Sequence, residues 1–281
     1  MRRCNWFQVL AASSLQLGSF VLGGCSPDNR LAKDAAATIL ATTLRDQGVR
    51  GADGVAKACL DLEWALPQAG MQDVAGAQRS WTQARLSYDR SATMFKLLAP
   101  ELDALIDGEL DSPLTRVGLR KLEQPLFAKP IADGQTLSQG ARALAEAAVR
   151  LPPAVADPSR SLDVGAFFGT LSALVVVTGV KLDGSDSPFA NQSLVSVRVG
   201  LQGIAELYAP MSSLIHDADP ALDEQIQRLL SELLGQLQGV SATEQVRDKV
   251  LFLRRSAELG QALLAVGPAL GLTISVVVDV T

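Results

Sequence analysis

The stretch DPALDEQIQRLLSELLGQL, residues 219–237, decides the fold class. Ile226, Leu229, Leu230, Leu233, Leu234 and Leu237 recur at steps of three and four, so they line one stripe of an α-helix but scatter over both faces of a strand. Asp219 offers a side-chain acceptor to the first turn, and Pro220 takes a position whose amide has no helical partner. The segment reads as a bundle helix, because a continuous apolar stripe needs other helices to cover it.

Outward from there the helical period continues. It predicts helices at about Leu31 to Gln47, Asp53 to Leu66, Asp73 to Leu98, Leu114 to Leu126, Thr136 to Leu151, Val164 to Val180, Gln192 to Leu214, and Ser241 to Gly267. Ser241 with Glu244, and Thr136 with Gln139, have the spacing of capping boxes. No strand pattern interrupts, so the expected class is all-α. Val164 to Val180 carries no charge, but its three glycines and its place between soluble helices favour a buried core helix over a membrane span. Pro152, Pro153 and Pro158 make Leu151 to Ser161 the longest expected linker, a candidate boundary between two helical bundles. The β-branched run Thr273 to Val280 reads as an extended tail.

The other end of the chain has the parts of an export signal. Arg2 and Arg3 precede an apolar stretch from Trp6 to Leu22, and LGGC follows at Leu22 to Cys25. A lipoprotein peptidase needs a large apolar residue three positions before the cut, small residues beside it, and a thiol to carry the lipid. The expectation is a signal peptide over 1–24, lipidation at Cys25, a short anchored linker over 25–30, and a helical domain over 31–281. The anchor makes the membrane a partner. Ser26 after the cysteine fits outer-membrane sorting in a Gram-negative host.

The formal charge of −5 becomes −7 once Arg2 and Arg3 leave with the signal, and an acidic chain argues against nucleic acid as a partner. Cys4 leaves too, and Cys25 is spent on lipid, so Cys59 has no intramolecular disulfide partner. With 48% apolar residues, the core must hold the fold.

Two segments carry a family resemblance. WTQARLSYDRSATMFKLLAPELDALIDGELD, residues 81–111, followed by GLRKLEQPLF, residues 118–127, contains Ala84-Arg85, Tyr88-Asp89-Arg90, Leu102-Asp103, Ile106-Asp107 and Gly118 to Glu123 in order. VKLDGSDSPFANQSLVSVRVGLQG, residues 180–203, contributes Lys181, Gly184, Leu194 and Gly203. This order and spacing resembles the imelysin-like family, in particular the extracytoplasmic component of Efe-type iron-uptake systems. The resemblance implies an all-α fold of two packed antiparallel helical bundles, a role in handling metal outside the cytoplasm, and partners among iron-uptake components. The family's peptidase label makes a hydrolase the remotest expectation.

The family's metal pair is a His-x-x-Glu on one helix face, a sound half-site for a transition metal. Here Arg120 takes the histidine's place while Glu123 remains, and a guanidinium has no lone pair to give. Arg120 and Glu123 are expected to pair with each other at i, i+3. Elsewhere Ala92 replaces an acid, Ser185 and Asp186 replace a Glu-Glu pair, and Phe189, Ala190 and Asn191 replace Tyr-Ser-His. We expect a member that has lost its metal and carries no cofactor. The alternative is a site rebuilt from Glu123, Asp107 and nearby carboxylates for an iron or copper ion.

Asp103, Asp107 and Asp111 are spaced to share a helix face, and are expected to form a solvated acidic turn around Gly108. His216 is expected in a surface loop between helices, with Asp219 as a cap. Trp81, Arg85 and Tyr88 align on one face, either as core packing or as one wall of a ligand groove. One histidine gives no basis for a catalytic triad, and no phosphate-binding glycine loop or Cys-x-x-Cys pair is present. The expected function is a non-enzymatic, tethered accessory to metal uptake with a reduced or lost metal site. The competing expectation is a helical scaffold or ligand- or protein-binding module.

Overall fold

The stripe in residues 219–237 is buried as its spacing requires. Ile226, Leu229, Leu230, Leu233 and Leu237 lie in the core, with Leu234 half-buried at the edge. The computed structural model describes residues 34–66, 73–108, 118–184, 186–241 and 246–274. The expected signal peptide, Cys25, the linker 25–30, Asp111, Ser185, Glu244 and most of the tail lie outside the described residues. Within them the chain is all-α and contains no strand.

A helix over 34–39 passes through one π-helical turn, Leu40–Leu44, into α1 (Arg45–Ala65). Then come α2 (Val74–Leu98), α3 (Pro100–Asp107), α4 (Leu119–Phe127), α5 (Gly134–Ala148), α6 (Leu151–Ala156) and α7 (Val164–Val180), which a 3-10 turn, Lys181–Asp183, extends. The last three are α8 (Ser193–Ala218), α9 (Pro220–Gln236) and α10 (Lys249–Ala269). α2 lies along α1 on one side and α8 on the other, α7 packs on α10, and α9 closes against α8 and α10. The α2–α8 crossing is close enough that a Cβ on Gly203 would sit 2.0 Å from the Arg90 carbonyl oxygen, so the position admits only glycine without displacement.

Aspartate caps set half of the ten numbered helix starts. Asp73, Asp133, Asp163, Asp219 and Asp248 each accept a hydrogen bond from the amide three residues on. Each such cap contributes about 1 kcal/mol. Two expected capping boxes are displaced by these. Asp133 begins α5 and takes both the amide and the hydroxyl of Thr136, and Asp248 rather than Ser241 begins α10.

The two expected N-terminal helices are one. Gly48, Gly51 and Gly54 do not break α1 because the helix needs them small: a Cβ on Gly51 would fall 1.9 Å from the Ser91 hydroxyl on α2. The expected linker at Leu151 to Ser161 instead contains α6, whose Leu151 and Val155 are fully buried. Arg45 of α1 fastens this segment by donating to the carbonyls of Val155, Asp157 and Arg160. Pro152 and Pro153 stand in the first turn of α6, which tolerates proline, and so begin a helix rather than break one.

Helix α7 and its extension, Val164–Asp183, are long and apolar enough to cross a membrane by length and composition. Phe167, Phe168, Leu171 and Val175 are nevertheless fully buried among the other helices. Cys59 is a free, buried thiol, and burial pushes its pKa up to about 12, so it is an inert part of the core.

Candidate ligand-binding site

Four elements converge on one buried charge network. α2 presents Arg85, Tyr88 and Asp89 on a single face and Lys96 two turns later. The chain then folds back at Ala99-Pro100 into α3, which places Asp103 and Asp107 one turn apart. Gly108 ends α3 in the left-handed conformation, and the chain resumes at Gly118, with φ of 145°. A Cβ on Gly118 would lie 2.3 Å from the Gly108 Cα, so two glycines in contact bring the end of α3 against the start of α4. From α4 come Arg120 and Glu123. The turn after α7 adds Lys181, Asp186 and Ser187.

Arg85 is the hub. Its Nε donates to Asp89 Oδ2 at 3.0 Å, Nη1 to Asp107 Oδ1 at 2.8 Å, and Nη2 to both oxygens of Asp186 at 3.3 and 3.2 Å. Arg120 spans two of the same carboxylates, with Nε 3.0 Å from Asp107 Oδ1 and Nη2 3.2 Å from Asp186 Oδ1. Lys181 Nζ bridges Asp89 at 3.2 Å and Asp186 at 3.3 Å. A second branch runs from Tyr88, whose hydroxyl donates to Asp103 Oδ1 at 2.7 Å, while Lys96 Nζ reaches Asp103 Oδ2 at 2.9 Å. Four cations therefore face four carboxylates.

Burial alone would raise the Asp107 carboxyl, but the Arg85 and Arg120 guanidiniums, with Lys181, hold it well below the usual carboxylate range. Asp186 is lowered in the same way, burial being outweighed by Arg85, Lys181 and Arg120. Asp103 goes up, because burial there exceeds the help from Lys96 and Tyr88. The Tyr88 phenol is raised by burial and by Asp103 and Asp107, so it stays protonated and remains a donor.

The expected Arg120–Glu123 pair does not form. Glu123 is buried and turns the other way, where Oε1 accepts from the Ser187 hydroxyl at 2.8 Å and from the amides of Phe189 and Ala190 at 2.9 and 2.8 Å. It pins the loop before α8. The acidic turn expected at Asp103 and Asp107 is not solvated either, since both carboxylates are largely shielded and paired. Of the expected aromatic and guanidinium face, Arg85 and Tyr88 line a cavity of about 380 Å³. Trp81 is core instead: its Nε1 donates to the Leu119 carbonyl at 2.8 Å and its ring meets Phe127 edge-on at 5.1 Å. His216 lies in the last turn of α8 rather than in a loop, 3.4 Å from Asp223.

Sequence reasoning passed over Lys96, Asp89, Lys181 and Asp186 as functional candidates. Only Arg85–Asp89 left a readable local signal, their i, i+4 spacing. Lys96 meets Asp103 only because the chain folds back between α2 and α3, and Lys181 and Asp186 arrive from far along the chain.

The hydrogen-bonded corner at Tyr88–Asp103 occurs a second time. Tyr208 on α8 donates to Asp223 Oδ1 on α9 at 2.6 Å, and each Tyr–Asp pair is 15 residues apart. Lys96 corresponds to His216, Pro100 to Pro220, Leu102 to Leu222 and Ile106 to Ile226 at one constant offset. Arg85, Asp89 and Asp107 correspond to Ala205, Ala209 and Gln227, so the second corner keeps the geometry without the charge network. A larger and more open groove of about 800 Å³ lies beside it.

A transition-metal ion does not fit the donors as they stand. Asp107 is taken by two guanidiniums, Glu123 by three hydrogen bonds from the loop before α8, and the positive charge that a metal would bring is already supplied by Arg85. Among the described residues, no three His, Cys, Asp or Glu side chains are grouped to hold one. No family model matches the chain, and no curated protein matches it.

Proposed function

We propose that this protein is a non-enzymatic binding module, tethered outside the cytoplasm through lipidated Cys25, of imelysin-like type, in which a network of protein cations stands where the family's metal site would be. One observation carries the reading: Asp107 and Glu123, the acids that the resemblance points to, are each held by the protein's own donors, Asp107 Oδ1 by two guanidiniums and Glu123 Oε1 by a hydroxyl and two amides. The resemblance gains support from space as well as sequence, because residues from its two separate segments meet here, Arg85 and Arg120 with Asp186, and Glu123 with the Phe189 and Ala190 amides.

Two measurements test it. Thermal unfolding of the chain is expected to be unchanged by ferric, ferrous or cupric ions, since a ligand that binds only the native state raises its melting temperature. A clear rise that Glu123→Gln or Asp107→Asn removes would restore the metal-uptake reading. Metabolic labelling with palmitate is expected to mark the wild type and not Cys25→Ser. An unlabelled wild type would remove the tether.

A further inference from the structure

We infer that the cavity between α2, α3, α7 and α8 binds a small organic anion, a carboxylate with a short apolar body. The inference rests on the binding-module reading and gives that module its ligand class. Although the network is neutral, the charges around its buried hub, Arg85, are sorted by depth. Lys96 is 37% exposed against 8% for its partner Asp103, Arg120 is 28% against 14% for Asp107 and 3% for Asp186, and Lys181 is 14% against 4% for Asp89. Each of these cations is nearer to water than the carboxylate it pairs with. The mouth is therefore positive on a protein whose overall charge is negative, and such a local field draws anions in.

Across the cavity the wall changes character. Leu174, Val177 and Ile204 give the cavity an apolar side opposite the charged one, and a volume near 380 Å³ falls in the range of about 300–1,000 Å³ usual for small-molecule sites. Two hydroxyls on this side, Thr170 Oγ1 and Ser196 Oγ, are buried without a hydrogen-bond partner, and their residues line the same cavity. Thr38, Thr42 and Thr82 each bond back to the carbonyl one turn earlier, whereas Thr170 and Ser196 do not, which leaves two polar groups for a guest. An acid group at Lys96 and Arg120, an alkyl chain on Leu174 and Val177, and an acceptor near the hydroxyls would together satisfy what the protein leaves open.

The test uses the full chain in lipid nanodiscs, titrated calorimetrically with hexanoate, hexanamide and hexylamine, which share one alkyl chain and differ in charge. Hexanoate is expected to bind saturably and more tightly than the other two. Lys96→Gln is expected to weaken it about tenfold, as the loss of one charge-assisted hydrogen bond would. Ala173→Phe, which fills the cavity from its rim without touching the ion network, is expected to abolish binding while leaving the far-ultraviolet circular dichroism unchanged. Hexanoate binding that survives Ala173→Phe, or no binding of hexanoate, overturns the inference. If hexylamine or hexanamide binds best and Ala173→Phe removes it, the anion assignment falls while the binding-module reading stands. That reading fails separately, in the thermal response to metal ions.

Discussion

The α2–α3 corner and the α8–α9 corner are built alike and finished differently. Both turn at a proline, and both lock the turn with a tyrosine hydroxyl on an aspartate 15 residues away. At the second corner neutral groups complete the aspartate's shell: Ser212 Oγ at 2.8 Å and Gln227 Nε2 at 2.9 Å join Tyr208, and with nearby His216 they outweigh burial and lower the Asp223 carboxyl. At the first, Asp103 has the Lys96 ammonium, and Arg85, Arg120 and Lys181 tie three further carboxylates into the same space. The Tyr–Asp bond is thus scaffold common to both corners, and the ion network is what sets the first apart. Buried ion pairs seldom repay their desolvation better than apolar packing would, so the network's presence on one side only is itself a pointer to use rather than to stability.

The sharpest way to break the comparison is at the hub. Arg85→Met should cost about 3–5 kcal/mol in denaturant unfolding, because it strands Asp89, Asp107 and Asp186 away from water with too little positive charge. At the corresponding position of the second corner the residue is already Ala205, half-buried, and Ala205→Met should cost under about 1.5 kcal/mol. Equal losses would mean that the network is incidental. Next in size, Tyr88→Phe should cost about 1–3 kcal/mol and Tyr208→Phe less, about 0.5–1.5 kcal/mol, since Asp223 keeps two neutral donors and Asp103 keeps none. The reverse order would show that Lys96 serves Asp103 better than the amide and hydroxyl serve Asp223.

Acid should expose the network too. Asp107 and Asp186 titrate lower in the folded chain than in the unfolded one, so the stability they give is complete above about pH 5, starts to drain near pH 4 and goes on draining as the pH falls through their lowered folded values. Asp103 is raised and opposes this. Asp107→Asn is expected to lower stability at pH 7 and to flatten its loss between about pH 5 and pH 3. An unaltered slope would place the acid sensitivity elsewhere. The smallest effect belongs to Lys57→Ala, which removes an exposed i, i+4 pair with Asp61 and should change stability by less than about 0.5 kcal/mol.

Periodicity made the helices legible. Ile226 to Leu237 bury as their spacing demands, and the long uncharged run is α7 to the residue. Boundaries were less so. Gly48, Gly51 and Gly54 look like interruptions until α2 is laid against them, and Pro152-Pro153 looks like a linker until it is seen to occupy the first turn of α6. The site was half visible. Arg85, Tyr88, Asp103, Asp107, Arg120 and Glu123 all stood out by type and spacing, but Asp186 and Ser187 did not, because they arrive from a turn far along the chain. Local spacing favoured Arg120 with Glu123, and the tertiary arrangement gave each a better partner: two carboxylates for the guanidinium, and a hydroxyl with two amides for the carboxylate.

The central claim is that Arg85, at the hub of the network, stands in for the positive charge that a metal would bring. Calorimetric titration of cupric ion into the wild-type chain and into Arg85→Ser tests it most directly. No saturable binding to the wild type, with binding appearing once Asp89, Asp107 and Asp186 lose the Arg85 guanidinium that joins them, is the predicted result. Micromolar or tighter binding to the wild type, unaffected by Arg85→Ser, would contradict it.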